Sequence, residues 1–388
     1  MSINTNFYRD INDLVTLASG GEITGIVDRK TFIDAGTALA NLSDPEAFKN
    51  AFIQQIANKV QLSIDTARTY TGAYQKLTRG HIAPGGVIEM ITHGFFAARQ
   101  PKFPVLTNGQ SIDQYEIAKP EANVDYFVKD NAGSLMVTIQ EIELRGAFKS
   151  PEAMETFLRD KTLYLLNSYE RQREAARLSL VADTIVDLFG VEIDANTEGP
   201  DSSQMRYRLL TMFNKITGGT LTADNALYNA EFVTFACSVI RKVYGKIHKV
   251  SSSYNLNGIE TFTPKDEAER MMFVNSAFVA AQNAYVKSVN FHPENAVIPT
   301  GYEEVPNWGD ESHPLQVTTK NSGGNANVQT APVVALLADK WAMGEYVEHS
   351  AVRTTPYNAA GEYYNEYLNY QLKLVRNKYA NTIAFTLE

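Results

Sequence analysis

The sequence predicts an α+β fold whose helices and strands are segregated along the chain instead of alternating as β-α-β units. Three observations carry that reading. One long stretch, Glu152 to Phe189, contains neither Gly nor Pro, whereas the sixty residues before it are repeatedly broken by both. The last fifty residues then return to alternating, β-branched and aromatic segments of the kind that form strands.

The elements follow in order. Residues 1–42 mix short apolar pieces with "SGGEITG" and show no sustained period, which reads as an arm. At "SDPEAF", Ser43 and Glu46 have the spacing of a capping box and Pro45 suits a first helical turn. Phe48, Phe52, Ile56 and Val60 then fall on one face of an amphipathic helix.

From "RGHIAPGGVIEMI" to "KDNAGSLMV", Gly80, Pro84, Gly85, Gly86, Pro101, Pro104 and Pro120 exclude long helices, and Asn108-Gly109 is a hairpin-turn signal. So long a segment without a core of its own is usually a lid, a binding loop or an arm, and something else must cover it. In "VTIQEIELRGAF", Val137 and Ile139 alternate with polar residues, and Ile142 and Leu144 resume one residue out of phase. That pattern predicts a strand with a bulge near Gln140 and Glu141.

The long helix is bounded by Ser150 as N-cap, Pro151 at its first position, Glu152 and Glu155 in the first turn, and Gly190 as the stop. Its length would be roughly 58 Å, against a usual mean of about 11 to 12 residues. Phe157, Tyr164, Leu178, Ile185 and Leu188 form one apolar row and Leu158, Leu165, Tyr169 and Ala176 a second, so neighbours are expected on two sides. Glu170 with Arg173, and Glu174 with Arg177, read as a solvated, mutually paired face.

A compact unit follows, with helical patterns at 205–216 and 226–247. "MMFVNSAFVAAQNAYVKSVNF" is either one helix from Pro264 or a strand at 271–275 followed by a helix, and residues 301–330 are loop-rich. "VVALLA", "WAMGEYVEH" and the tail from Gly361 to Phe385 read as strands. In that tail Tyr363, Tyr367, Tyr370 and Leu374 also fit a helix face. The alternation of Tyr370, Leu372 and Leu374 with Asn369, Gln371 and Lys373, together with tyrosine's β preference, favours the strand.

Composition bounds the function. Forty-four acidic against 35 basic residues give a net charge of −9, which disfavours a whole surface that grips a phosphate backbone but leaves room for local basic patches. The single cysteine, Cys237, lies in the apolar run "EFVTFACSVI" and reads as a buried thiol. No stretch approaches the roughly 18 apolar residues of a membrane span and no secretory leader is visible, so synthesis in the cytoplasm is expected. His81, His93, His248, His292, His313 and His349 show no metal-ligand spacing. Neither a phosphate-binding loop nor a G-x-S-x-G elbow occurs, and carboxylate neighbours such as Glu303 and Glu304 have no cleft signal. No catalytic, metal or cofactor site is predicted.

The order of elements resembles one family. An arm, a helix, a long extended loop, a spine helix, a compact mixed unit and closing strands resemble the major capsid protein of tailed bacteriophages, a fold shared with the herpesvirus capsid floor. The shell proteins of small short-tailed phages of the phi29 type are the most similar. Three stretches carry the resemblance: Arg79 to Ile91, Ala122 to Phe148, and "LLADKWAMGEYVEHSAVRTTPYNAAGEYYNEYLNYQLKLVRNKYANTIAF".

The resemblance implies an N-terminal arm and amphipathic helix at 1–78 and an extended loop at 79–136. A peripheral domain would take 137–192 and 338–388, and an axial domain 193–337. It implies a homo-oligomer of hexamers and pentamers enclosing double-stranded DNA, which the shell would touch only non-specifically. A portal and a separate scaffolding protein would be partners, the place would be the virion after assembly in the host bacterial cytoplasm, and no membrane is involved. No appended immunoglobulin-like domain is expected after Phe385. The extended loop would lie over an adjacent subunit, with Phe95, Phe96, Arg99, Lys102, Tyr126, Phe127 and Lys129 as contact residues. Alternatives are an encapsulin-type compartment, an unrecognised enzyme, and a nucleic-acid-binding module that the net charge disfavours.

Overall fold

A computed structural model describes residues 5–38, 69–93, 95, 108, 122–125, 129–190, 205–287, 298–299, 301–309, 313–320 and 326–388. The amphipathic helix expected after Ser43 and the Asn108-Gly109 hairpin lie outside the described residues or reach beyond them.

The first 38 residues are more regular than their composition promised. Helices α1 (Thr5–Ala18) and α2 (Arg29–Ala38) bury Ile11, Val15, Phe32 and Ala35 against Leu144, Phe148 and Met154. Phe32 stacks on Phe148 with ring centroids 5.9 Å apart. The apolar positions of α1 do recur at helical spacing; the short length of each helix hid the period.

Strand β1 (Thr78–His81) follows a short strap at 69–77, and β2 (Met90–His93) pairs with β3 (Ala122–Asp125) as an antiparallel ribbon. β4 (Lys129–Gln140) is straight to its end, and the expected bulge is absent. The change of phase is instead a switch from strand to helix, α3 (Glu141–Ala147), whose entry is closed by a reciprocal capping box between Gln140 and Glu143. Leu144 then faces the core while Ile142 is exposed.

The spine, α4 (Pro151–Gly190), is one continuous helix of 40 residues, with the Ser150 hydroxyl accepting from Ala153 N at 3.2 Å. Both expected sides are used over part of its length: Leu165, Ala176, Leu180, Val181, Ile185 and Leu188 are buried, while Tyr164 stays exposed.

In the unit that follows come β5 (Arg206–Arg208), α5 (Leu209–Thr217) and α6 (Ala230–Lys246). β6 (Arg270–Asn275) leads directly into α7 (Ser276–Gln282), which settles the ambiguity at Met271 for strand then helix. β7 (Glu303–Val305) and the hairpin β8 (Gln316–Lys320) and β9 (Ala326–Thr330) occupy the stretch expected to be loop. The chain closes with β10 (Val333–Asp339), β11 (Met343–Thr354), β12 (Tyr363–Arg376) and β13 (Thr382–Thr386).

Two sheets organise these strands. One has the order β1-β11-β12-β4 and the other β5-β13-β10-β6-β7. The chain's last strand, placed with the peripheral strands by the reading of the sequence, pairs with β10 and β5 in the second sheet. That sheet is covered on both faces, by α5 to α7 on one and by the spine and the first sheet on the other. β10 therefore reads as an apolar run from Val333 to Ala338, since alternation appears only where one face meets water.

The tyrosine tail is a strand. Tyr364, Glu366, Leu368, Tyr370 and Leu372 are buried and the residues between Tyr363 and Asn369 on the other phase are half-buried. Tyr370 packs on Tyr169 of the spine, centroids 5.3 Å apart.

Candidate subunit-contact surface and the base of the extended loop

Residues 69–93 and β4 flank the segment expected to form an extended loop, and both are fixed by contacts distant in sequence. The strap at 69–77 lies along the spine. Gly72 is required there because a side-chain carbon would sit 2.8 Å from Glu174 Cβ. Tyr70 N donates to Asn167 at 2.8 Å, Ala73 N donates to Glu174 at 3.0 Å, and the Tyr70 hydroxyl bonds the same carboxylate. Tyr74 adopts a left-handed conformation at φ 63°, which a tight site must hold in place. Its ring packs on Phe273 and its hydroxyl donates to Asn307 O at 2.7 Å. Glu303 accepts from Gln75 N and Lys76 N at 2.9 and 3.0 Å, so this carboxylate caps a turn.

Beneath the strap lies a cluster of four charged side chains. Arg177 and Glu345 are both fully buried, and Glu345 accepts from Arg177 Nε at 2.8 Å and from Arg173 at 2.8 and 2.9 Å. Glu170 closes the group, accepting from Arg177 at 2.7 Å and Arg173 at 3.2 Å, while Arg177 also donates to Ala73 O at 3.0 Å. Burial alone would raise the Glu170 pKa, but hydrogen bonds from Arg177 and Gln75 outweigh it and hold the carboxyl below its ordinary value. The solvated face expected at 170–177 is therefore corrected: the Glu170–Arg173 pair exists, but Arg177 faces β11 and Glu174 serves the strap. Each charge of the cluster is paired and hydrogen-bonded, which offsets the cost of its burial.

Further along the foot, Arg79 donates to Met343 O at 2.9 Å and to Lys340 O, tying β1 to the start of β11. The turn Ala83-Pro84-Gly85-Gly86 has Gly85 at φ 74° and a Gly86 N to Ala83 O bond of 2.9 Å. Glu348 accepts from Gly85 N at 2.6 Å, and Lys373 donates to Gly86 O at 2.6 Å and pairs with Glu348 at 3.4 Å. The register of β11 against β12 slips between Val347 and His349, and at this irregularity Glu348 meets the Gly85 turn.

Of the predicted contact residues, Phe95 is 47% exposed and its ring meets Phe262 at 5.7 Å. Phe262 in turn lines a groove of about 490 Å³ with Ile91 and Trp341. Lys129 is the first residue of β4 and pairs with Leu374. Phe96, Arg99, Lys102, Tyr126 and Phe127 lie outside the described residues.

The buried charges went unread in the sequence, although a signal exists. Glu345 lies in phase with Met343 and Val347 on the buried face of β11, and Arg177 is three and four residues from the buried Leu180 and Val181. Among the described residues no helix is long and apolar enough to cross a membrane, and no group of three potential metal ligands occurs.

The fold is similar to solved phage capsids. The capsid of Staphylococcus phage Andhra matches with a TM-score of 0.51 at 10% identity, covering 84% of this chain and 87% of that one. A capsid structure of the cyanophage P-SCSP1u gives 0.47 at 13% identity, over 84% of this chain and 91% of that one. A comparison with curated proteins finds no match. The profile of the Phi29-like phage major capsid protein spans residues 27–386, nearly the whole sequence. The chain belongs to the Phi29-like phage major capsid protein family.

Proposed function

We propose that this capsid protein builds its shell as hexamers and pentamers around packaged double-stranded DNA, with the loop that rises from the clamped feet docking on an adjacent copy. The observation that carries the reading is the family match across 27–386, on a fold similar to a phage capsid. It favours a phage shell over an encapsulin-type compartment. Exposed Phe95 against Phe262, which lines a groove with the exposed Ile91 and Trp341, supports a subunit contact at the foot of the loop. The same reading assigns Arg99 and Lys102 to this contact as its charged groups, and Phe96, Tyr126, Phe127 and Lys129 as further contact residues.

Each docking contact is modest, but a subunit in a closed shell makes several at once, and linkage converts them into large collective stability. An acidic shell repels DNA in general, so contact with the genome falls to short positive patches. A separate scaffolding protein and a portal complete assembly, which takes place in the host bacterial cytoplasm.

Electron microscopy of the protein expressed alone and with its neighbouring genes tests the reading. Rings, tubes or shells are expected; a monomer under every condition would overturn it. Arg99→Glu should leave the subunit folded by circular dichroism and impair particle formation. Particles of normal yield and heat resistance would remove Arg99 from the contact.

A further inference from the structure

Residues 232–259 contain four Lys or Arg and neither Asp nor Glu, in a chain of net charge −9. The structure gathers the four cations on α6 and just beyond it. The helix buries Phe232, Val233, Ala236, Val239, Ile240 and Val243. Its opposite side carries Arg241, Lys242 and Gly245, continued by His248 and Lys249 past the helix end. Arg241, Lys242, Gly245 and Lys249 are exposed, and Lys246 and His248 are half-buried on the flanks. A carbon added at Gly245 would meet nothing within 4 Å, so the middle of the ridge is open.

Two plainer explanations fall short. Cations in a helix's last turn complement its dipole, but that effect fades within one turn and leaves Arg241 and Lys242 unexplained. Pairing with helix acids also fails, because Glu231 is ten residues from Arg241, about 15 Å at 1.5 Å per residue. That exceeds the Debye length of about 10 Å at 0.1 M salt. The 264–270 segment brings Glu267 near Tyr244, where Arg270 covers the ring at 4.7 Å, so this acid borders the Arg241 and His248 flank of the ridge, while Lys242, two residues from Tyr244, faces away from it. Arg241 and Lys246 also hold partners within the fold.

We propose that the ridge of Lys242, His248 and Lys249, flanked by Arg241 and Lys246, is a contact surface for the phosphate backbone of double-stranded DNA. The identity of the polymer rests on the shell reading above; the charge and shape of the surface do not. From Arg241 to His248 the ridge is roughly 10 Å long, and one DNA strand places a phosphate every ~3.4 Å of helix axis, so it faces about three phosphates. Contacts to phosphate oxygens carry no sequence information, so the contact is independent of sequence.

The test uses the unassembled full-length chain and a labelled duplex of random sequence, with fluorescence anisotropy read across a salt series. Wild type should bind with log K falling against log salt at a slope of about −3. Lys242→Glu and Lys249→Glu should each reduce the slope by about 1, and the double variant should weaken binding at least tenfold. The pair Lys30→Glu and Lys149→Glu, both exposed and far along the chain from α6, makes the same change of net charge and should leave binding within about twofold of wild type.

An equal loss in that control overturns the local ridge, and so does failure of wild type to bind at 50 mM salt. Binding of polyglutamate as tight as that of the duplex reassigns the ridge to an acidic protein partner and also overturns the proposal. Particle formation, scored separately by electron microscopy, tests the shell reading: DNA binding without particles refutes that reading and leaves this one standing.

Discussion

Replacing Glu345 with Gln removes the centre of the buried charge cluster while keeping its shape. In the native cluster Glu345 accepts three hydrogen bonds of 2.8–2.9 Å from Arg173 and Arg177, and the latter is fully buried. At an effective dielectric of about 20, each charge pair ~4 Å apart is worth about 4 kcal/mol before desolvation is counted. Glu345→Gln leaves two guanidinium groups sharing the single carboxylate of Glu170, and the amide turns a donor toward them. Breaking a buried pair in this way costs about 3–5 kcal/mol. Urea unfolding of the unassembled subunit, followed by intrinsic fluorescence, should show a lower midpoint at unchanged slope. Replacing all four charged residues by apolar side chains of similar volume should recover most of the loss, because it removes the stranded charges together with their partner. A loss below about 1 kcal/mol for Glu345→Gln would refute the reasoning, since the cluster would then be wet enough to screen its own charges.

Three further outcomes follow from the structure. Burial, only partly opposed by Lys161, pushes Glu366 up to about 7 from an ordinary 4.5. Between those values the folded chain holds a proton that the unfolded chain has released, so stability should fall as pH rises from 4.5 to 7, by up to about 3 kcal/mol. Glu366→Gln should flatten this dependence in unfolding curves taken across that range, and an unchanged pH profile would contradict the assignment. Cys237 is buried, and its thiol is pushed up to about 12 chiefly by that burial, so a thiol reagent should label it only after denaturation; rapid native labelling would contradict this. Gly133 faces the Tyr370 ring so closely that an added methyl group must displace it. Gly133→Ala should cost about 1–3 kcal/mol by overpacking and loosen the Tyr169–Tyr370 contact, and wild-type unfolding would refute the close approach.

The sequence alone determined the elements whose signals are local. Ser150, Pro151 and Gly190 mark the ends of the spine because capping depends on residues within a few positions of each terminus. The closing strand from Tyr363 is legible through its alternation, since one of its faces is buried more deeply than the other. Reading stopped where a local pattern had two physical meanings. The shift of phase at Gln140 fits a bulge as well as a strand-to-helix switch, and the capping box that decides between them forms only once Glu143 turns back on its own strand.

Tertiary structure alone decided which charges are buried and which strands share a sheet. Glu170, Arg173, Glu174 and Arg177 have the spacing of a solvated ladder, and only the approach of β11, whose Glu345 lies 168 residues from Arg177, turns part of it into a dry cluster. Thr382–Thr386 leaves the strands it follows and joins β5 and β10, because that sheet offers apolar cover on both faces. Spacing along the chain reports a residue's own face; the partner that covers that face is set by packing between segments far apart in sequence, which no local pattern encodes.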